Sequence, residues 1–152
     1  MRYLIATAIA LLASLSAMPQ SGYGWFTGKA MVFTCPGHNA GFSLQYYYNI
    51  ADRLSAGTGT GLRAVCGHSG VVVPLTAAIK VGLTDRKPPV MPVIEILDGY
   101  AAGKTGYTGF YAEERIGIET TKIARIRFAM GVGCAHIHNS KSCFSISAGM
   151  LF

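Results

Sequence analysis

From Leu54 to Ala64 the chain alternates residue by residue, with Leu54, Ala56, Leu62 and Ala64 on one side and Ser55, Gly57, Gly59, Gly61 and Arg63 on the other. The same rhythm runs from Val71 to Leu83, where Val73, Leu75, Ala77, Ile79, Val81 and Leu83 oppose Pro74, Thr76, Ala78, Lys80 and Gly82. Further on, Ile126, Phe128, Met130 and Val132 oppose Arg125, Arg127, Ala129, Gly131 and Gly133. The last eleven residues set Phe144, Ile146, Ala148, Met150 and Phe152 against Ser145, Ser147 and Gly149. A period of two is that of a β-strand, whose successive side chains leave opposite faces. Eight such segments, separated by turn residues, are predicted: Trp25 to Cys35, Gly41 to Ile50, Arg53 to Cys66, Val71 to Leu83, Pro92 to Gly103, Gly109 to Glu119, Ala124 to Ala135 and Cys143 to Phe152. Each is near the 9 to 11 residues that a tilted strand needs to cross a hydrocarbon layer.

The chemistry of the two faces decides which way they point. One face is oily, and the other is small or charged. A soluble barrel turns its apolar face inward, whereas a membrane barrel turns it toward lipid. The pattern predicts an all-β, eight-stranded antiparallel up-and-down transmembrane β-barrel with ions and glycines inside. Gly57, Gly59 and Gly61 then make room for long charged side chains across a narrow bore. The segment GTGTG also reads as a flexible linker, but Leu54 and Leu62 flank it in matching register.

Composition agrees. Hydrophobic residues are 51% and mean hydropathy is +0.36, while charged residues are only 13%, against about 25% in ordinary soluble domains. At the amino terminus Arg2 precedes an apolar stretch from Tyr3 to Leu15, and Ser16 and Ala17 follow. Residues 1–17 are therefore expected to be a secretory signal peptide and 18–152 the barrel domain. A spanning helix is the alternative, for which the stretch is short of the required ~20 residues. No cysteine follows the apolar run directly, which argues against a lipoprotein anchor. The net charge of +6 comes from scattered basic residues, which suits anionic lipid headgroups or polyanionic glycolipid better than nucleic acid.

Connections are short and alternate in character. Ala51-Asp52-Arg53, Thr84 to Val90 and Thr120 to Ile123 would lie with both termini on the periplasmic side, and Pro36 to Ala40, Gly67 to Gly70, Lys104 to Thr108 and His136 to Ser142 on the outer side. Short outer loops argue against a large adhesive surface. Aromatic residues fall near the predicted strand ends, with Trp25, Tyr46, Tyr48 and Phe152 forming one girdle and Phe33, Phe42, Tyr100, Phe110 and Phe144 the other.

With these residues in view, the chain resembles the small outer-membrane β-barrel proteins of Bacteroidetes-type bacteria, similar in architecture to the membrane domain of the major outer-membrane protein A. The resemblance rests on YYYNIADRLSAGTGTGLR (Tyr46 to Arg63), VPLTAAIKVGL (Val73 to Leu83), GFYAEERIGIE (Gly109 to Glu119) and the terminal SISAGMLF. It implies the cell outer membrane as location, outer-membrane lipid and glycolipid as surroundings, and insertion by the barrel-assembly machinery through the carboxyl-terminal strand. It implies no catalytic residue, cofactor or metal. Two positions depart from the pattern: Asp98 shares a face with Ile94 and Ile96, and Glu114 with Phe110, Ala112, Ile116 and Ile118. Either a bulge shifts the register locally or these sites touch a partner protein; the bulge is the preferred reading.

All four cysteines fall at predicted outer strand ends, which in an exported chain implies disulfides. Three pairings are possible. Cys134 with Cys143 is preferred because they flank one hairpin, leaving Cys35 with Cys66, a loop closure contributing roughly 2.5 to 3 kcal/mol. His38, His68, His136 and His138 near the same rim match no standard zinc spacing. The predicted bore holds Arg63, Lys80, Glu95, Glu113, Arg115, Arg125 and Arg127, with Tyr47 and Gln45. Such charges must pair, and they form either a plug of salt bridges or a basic ion path; eight strands leave little open section, which favours the plug. The expected role is therefore a non-enzymatic barrel of structural or membrane-integrity type, with a narrow channel or small-ligand transporter as the alternative. A glycolipid-modifying enzyme ranks last, because around His136-Ile137-His138-Asn139 no nucleophile and base are assembled.

Overall fold

The computed structural model describes residues 24–34, 39–64, 70–84, 89–103, 108–120, 127–137 and 142–151. They form eight strands: β1 (Gly24–Thr34), β2 (Asn39–Asn49), β3 (Leu54–Ala64), β4 (Val71–Gly82), β5 (Val90–Gly103), β6 (Gly109–Thr120), β7 (Arg127–Ile137) and β8 (Cys143–Leu151). Each strand pairs antiparallel with the next, and β1 pairs with β8, from Thr27↔Leu151 to Thr34↔Phe144, so the sheet closes on itself. The expected strands are present with ends displaced by a few residues, within the usual uncertainty of strand limits.

Register is regular around the wall. Pairing runs without a slip from Val90↔Thr120 to Ala101↔Gly109 between β5 and β6, and from Val72↔Gly103 to Gly82↔Val93 between β4 and β5. The one gap lies between Thr60↔Leu75 and Arg63↔Val72 of β3 and β4, where Pro74 has no N–H to donate.

This regularity settles which side chains point out. Phe144, Leu75 and Ile116 are 70%, 63% and 62% exposed, while Tyr47, Glu95 and Arg63 are 0%, 1% and 3% exposed. The oily side chains form the outer wall and the ions the interior, the reverse of a water-soluble barrel. Among the described residues, three apolar clusters share the bore with the ions. Trp25, Tyr47, Ala78, Leu97, Ala129 and Leu151 pack toward the rim that carries the termini. Val72, Ala101 and Tyr111 with Ile137, and Met31, Phe33 and Ala135 with Cys143, pack toward the far rim.

The girdle expectation needs correction at two positions. Trp25 and Phe33 point inward, at 8% and 4% exposure. Trp25 stacks on Tyr47, with ring centroids 5.8 Å apart, and Phe33 lies under the Arg63 guanidinium at 4.6 Å. Both rings lie against buried cations, Phe33 against Arg63 and Trp25 against Lys80 at 5.8 Å, a favourable contact with the ring face. Tyr46, Tyr48, Phe110 and Phe144 occupy outward positions, and Phe152 lies outside the described residues.

Candidate functional site

The centre of the bore is a chain of ion pairs built from inward positions of β1, β3, β4, β5 and β6. Because alternate residues of one strand share a face, β5 sends in Val93, Glu95 and Leu97, and β6 sends in Tyr111, Glu113, Arg115 and Glu119. Glu95 is the hub. One of its oxygens accepts from Lys29 Nζ at 2.6 Å and from Arg115 Nη1 at 2.9 Å. The other accepts from the Tyr47 hydroxyl and lies 3.6 Å from Lys80 Nζ. Lys80 in turn donates to Glu119 at 2.6 Å and sits 3.9 Å from the centre of the Tyr47 ring.

Toward the far rim, Glu113 takes over. Arg115 grips it through Nε and Nη2, both at 2.8 Å, the Tyr111 hydroxyl donates to it at 2.6 Å, and Arg63 Nη2 completes the set. The Arg63 guanidinium is sandwiched between Phe33 and Tyr111, 4.6 and 4.5 Å from the two ring centres. The result is an unbroken run, Glu119, Lys80, Glu95, Arg115, Glu113, Arg63, along the bore. A lone ion in this setting would be expensive, so completeness of pairing is what makes the interior tenable. The gap between Lys29, Glu95, Arg115, Glu119 and Ser147 measures about 10 Å³, room for about one water molecule.

Of the interior positions expected from sequence, Arg63, Lys80, Glu95, Glu113 and Arg115 lie in this network, and Tyr47 and Gln45 are buried beside it. Arg127 is half-buried, its guanidinium 5.2 Å from the Trp25 ring centre; Arg125 lies outside the described residues. Lys29 and Glu119 were not expected. Lys29 shares its face with Trp25, Met31 and Phe33, so its only signal is its position opposite Phe26, Ala30 and Val32; Glu119 sits one residue from a strand end.

The preferred disulfide is not formed. Cys134 is a free thiol, while Cys143 is disulfide-bonded. Although they flank one hairpin, Cys143 pairs with inward-facing Ala135 and Cys134 pairs with outward-facing Phe144, so the two sulfurs leave opposite faces of the sheet and cannot meet. Cys35 and Cys66 lie outside the described residues, as do His38, His68 and His138. His136 points outward with Nδ1 3.3 Å from Ser142 Oγ.

Nor is there a bulge at Asp98 or Glu114. Asp98 pairs with Ala77 and Ala112, and Glu114 with Ile96 and Cys134, in uninterrupted ladders. Both carboxylates are exposed on the outer wall.

No family model matches the sequence, and no curated protein matches it. Solved structures do match in fold. The chain is similar to Neisserial surface protein A (NspA), with a TM-score of 0.68 at 11% identity, covering 87% of this chain and 98% of that one. It is similar also to the N-terminal β-barrel domain of Pseudomonas aeruginosa OprF, with a TM-score of 0.55 at 9% identity, covering 87% of this chain and 100% of that one. A de novo designed transmembrane β-barrel matches with a TM-score of 0.55 at 11% identity, covering 84% and 93%. What these likenesses establish is the fold: this chain is a closed, eight-stranded, all-antiparallel β-barrel of the kind found in outer-membrane barrel structures.

Proposed function

We propose that the protein is a non-enzymatic outer-membrane barrel of structural or membrane-integrity type, whose bore is closed to solutes. The observation that carries this reading is the sorting of side chains, with Leu75, Ile116, Phe144 and Ile146 outside and Glu95, Glu113 and Arg115 inside. Such a wall is tolerable only in hydrocarbon. Residues 1–17 act as the export signal, the β8 strand addresses the chain to the barrel-assembly machinery, and outer-membrane lipid and glycolipid surround the finished wall. Paired ions along the bore, with apolar clusters packed among them and at the far rim, support a plug rather than a path. Purified protein folded into planar bilayers should give no discrete conductance steps at high protein load; regular steps would favour the second reading, a narrow channel. That reading has one point for it, since four buried cations (Lys29, Arg63, Lys80, Arg115) face three buried carboxylates (Glu95, Glu113, Glu119) among the described residues.

A further inference from the structure

Glu114 is the sixth of the twelve residues of β6, with outward-facing Phe110 and Ala112 on one side of it and Ile116 and Ile118 on the other. It therefore sits midway along an outward-facing row, which in a membrane barrel is the part farthest from water and headgroups. Ile96↔Glu114 and Asp98↔Ala112 are successive outward-facing pairs, so Asp98 is the diagonal neighbour of Glu114, about 7 to 8 Å away between backbones. Beside them the wall is hollowed. A groove of about 610 Å³ runs over β5 to β8 between Ile94, Ile96, Ile116, Val132, Phe144 and Ile146, and its lining also includes Glu114, Cys134 and, through the wall at Gly133, Arg115 and Ser145.

A second copy offers no lysine or arginine for this role, because no described outward strand position carries either and Lys29, Arg63, Lys80 and Arg115 are buried in the bore. Among the described residues the one basic side chain on this wall is His136, whose Cα partner Ala112 is also that of Asp98. We propose that this face of β5 to β7 docks a membrane-embedded protein segment that presents a lysine or arginine at the depth of Glu114. The groove takes the apolar flank of the segment, and the two carboxylates take its cation. In hydrocarbon such a pairing replaces an exposed acid by a hydrogen-bonded ion pair. The inference rests on the reading of the chain as a membrane barrel.

The test uses the free thiol of Cys134, which is the Cα partner of Glu114. The full chain is folded into phosphatidylcholine vesicles, and its barrel state is checked first by heat-modifiable gel mobility, which isolates failure of the membrane reading from failure of the docking reading. Leucine-rich spanning helices with one central cysteine are added, flanked by lysine, leucine or glutamate, and oxidised mildly. The lysine helix should form a disulfide with Cys134 roughly threefold or more faster than the other two, and Glu114→Leu should erase that preference while keeping heat-modifiable mobility. Cys134→Ser should abolish the product. Equal yields from the three helices, a preference that survives Glu114→Leu together with Asp98→Ala, or a product of two copies joined at Cys134 would each overturn the proposal.

Discussion

Arg115 and Glu113 project from the same strand only two positions apart, yet the guanidinium folds back to meet both carboxylate oxygens, with Nε to Oε1 and Nη2 to Oε2 each at 2.8 Å. The remaining nitrogen, Nη1, reaches across to Glu95 at 2.9 Å. A planar fork with several fixed donors suits this double duty, which a lysine could not perform. Arg115 thus joins the two carboxylate centres of the bore into one network.

Breaking that network at its hub should be severe. Glu95→Ala leaves Lys29, Lys80 and Arg115 as buried cations without their shared acceptor, and removal of one partner from a buried ion pair costs about 3 to 5 kcal/mol. Urea unfolding in lipid vesicles, followed by the loss of heat-modifiable mobility, should show a stability loss of that size, read as the midpoint shift multiplied by the m-value. Glu95→Gln keeps an acceptor for Tyr47 but not the charge, and should fall between the two.

The close approach of strands β4 and β5 makes a second prediction. A Cβ added at Gly99 would run into the carbonyl oxygen of Leu75, which is backbone and cannot yield. Gly99→Ala should lower stability by on the order of 1 to 3 kcal/mol. At Gly82 the nearest atom is the Met91 sulfur at 3.0 Å, the end of a flexible side chain, so Gly82→Ala should be close to neutral in the same unfolding assay.

On the outer wall, the membrane itself sets the cost. Ile146→Arg places a cation among lipid chains and should cost about 2 to 4 kcal/mol in vesicles, the penalty for a basic residue near the midplane. Glu114→Leu should do the opposite and raise stability in pure lipid, where no partner is present. A fall in stability would mean that Glu114 serves the barrel itself.

The thiols separate by face. Cys134 should be alkylated in the unfolded, unreduced protein, whereas Cys143 should react only after reduction; mass mapping of the two peptides reads both. Alkylation of neither before reduction would contradict the free thiol.

Much of the fold was legible because a lipid-facing wall leaves a strong trace. In β3, β4 and β8 the outward positions are apolar or uncharged without exception, and alternation alone placed their faces. Legibility failed where the interior borrowed apolar residues. Trp25 and Phe33 look like membrane anchors in sequence, but each lies against a cation that only the closed barrel brings near. Lys29 went unseen for the same reason, since β1 carries aromatic residues on both faces. Asp98 and Glu114 were read correctly for their face and wrongly for their cause: an acid in an oily row suggests a slipped register, and no slip exists. The cysteine pairing was misread because nearness along a hairpin ignores which way each side chain leaves the sheet.

The charged set stays within and the oily side chains face outward, and the single tryptophan of the chain offers a direct check that this outer face meets lipid. In vesicles whose acyl chains carry bromine, native Trp25, which is 8% exposed and stacked on Tyr47, should keep its fluorescence. A tryptophan moved to the outer wall, Leu75→Trp or Ile146→Trp in a Trp25→Phe background, should be strongly quenched. Strong quenching of Trp25 together with none at positions 75 and 146 would place the oily face inside and contradict the membrane barrel.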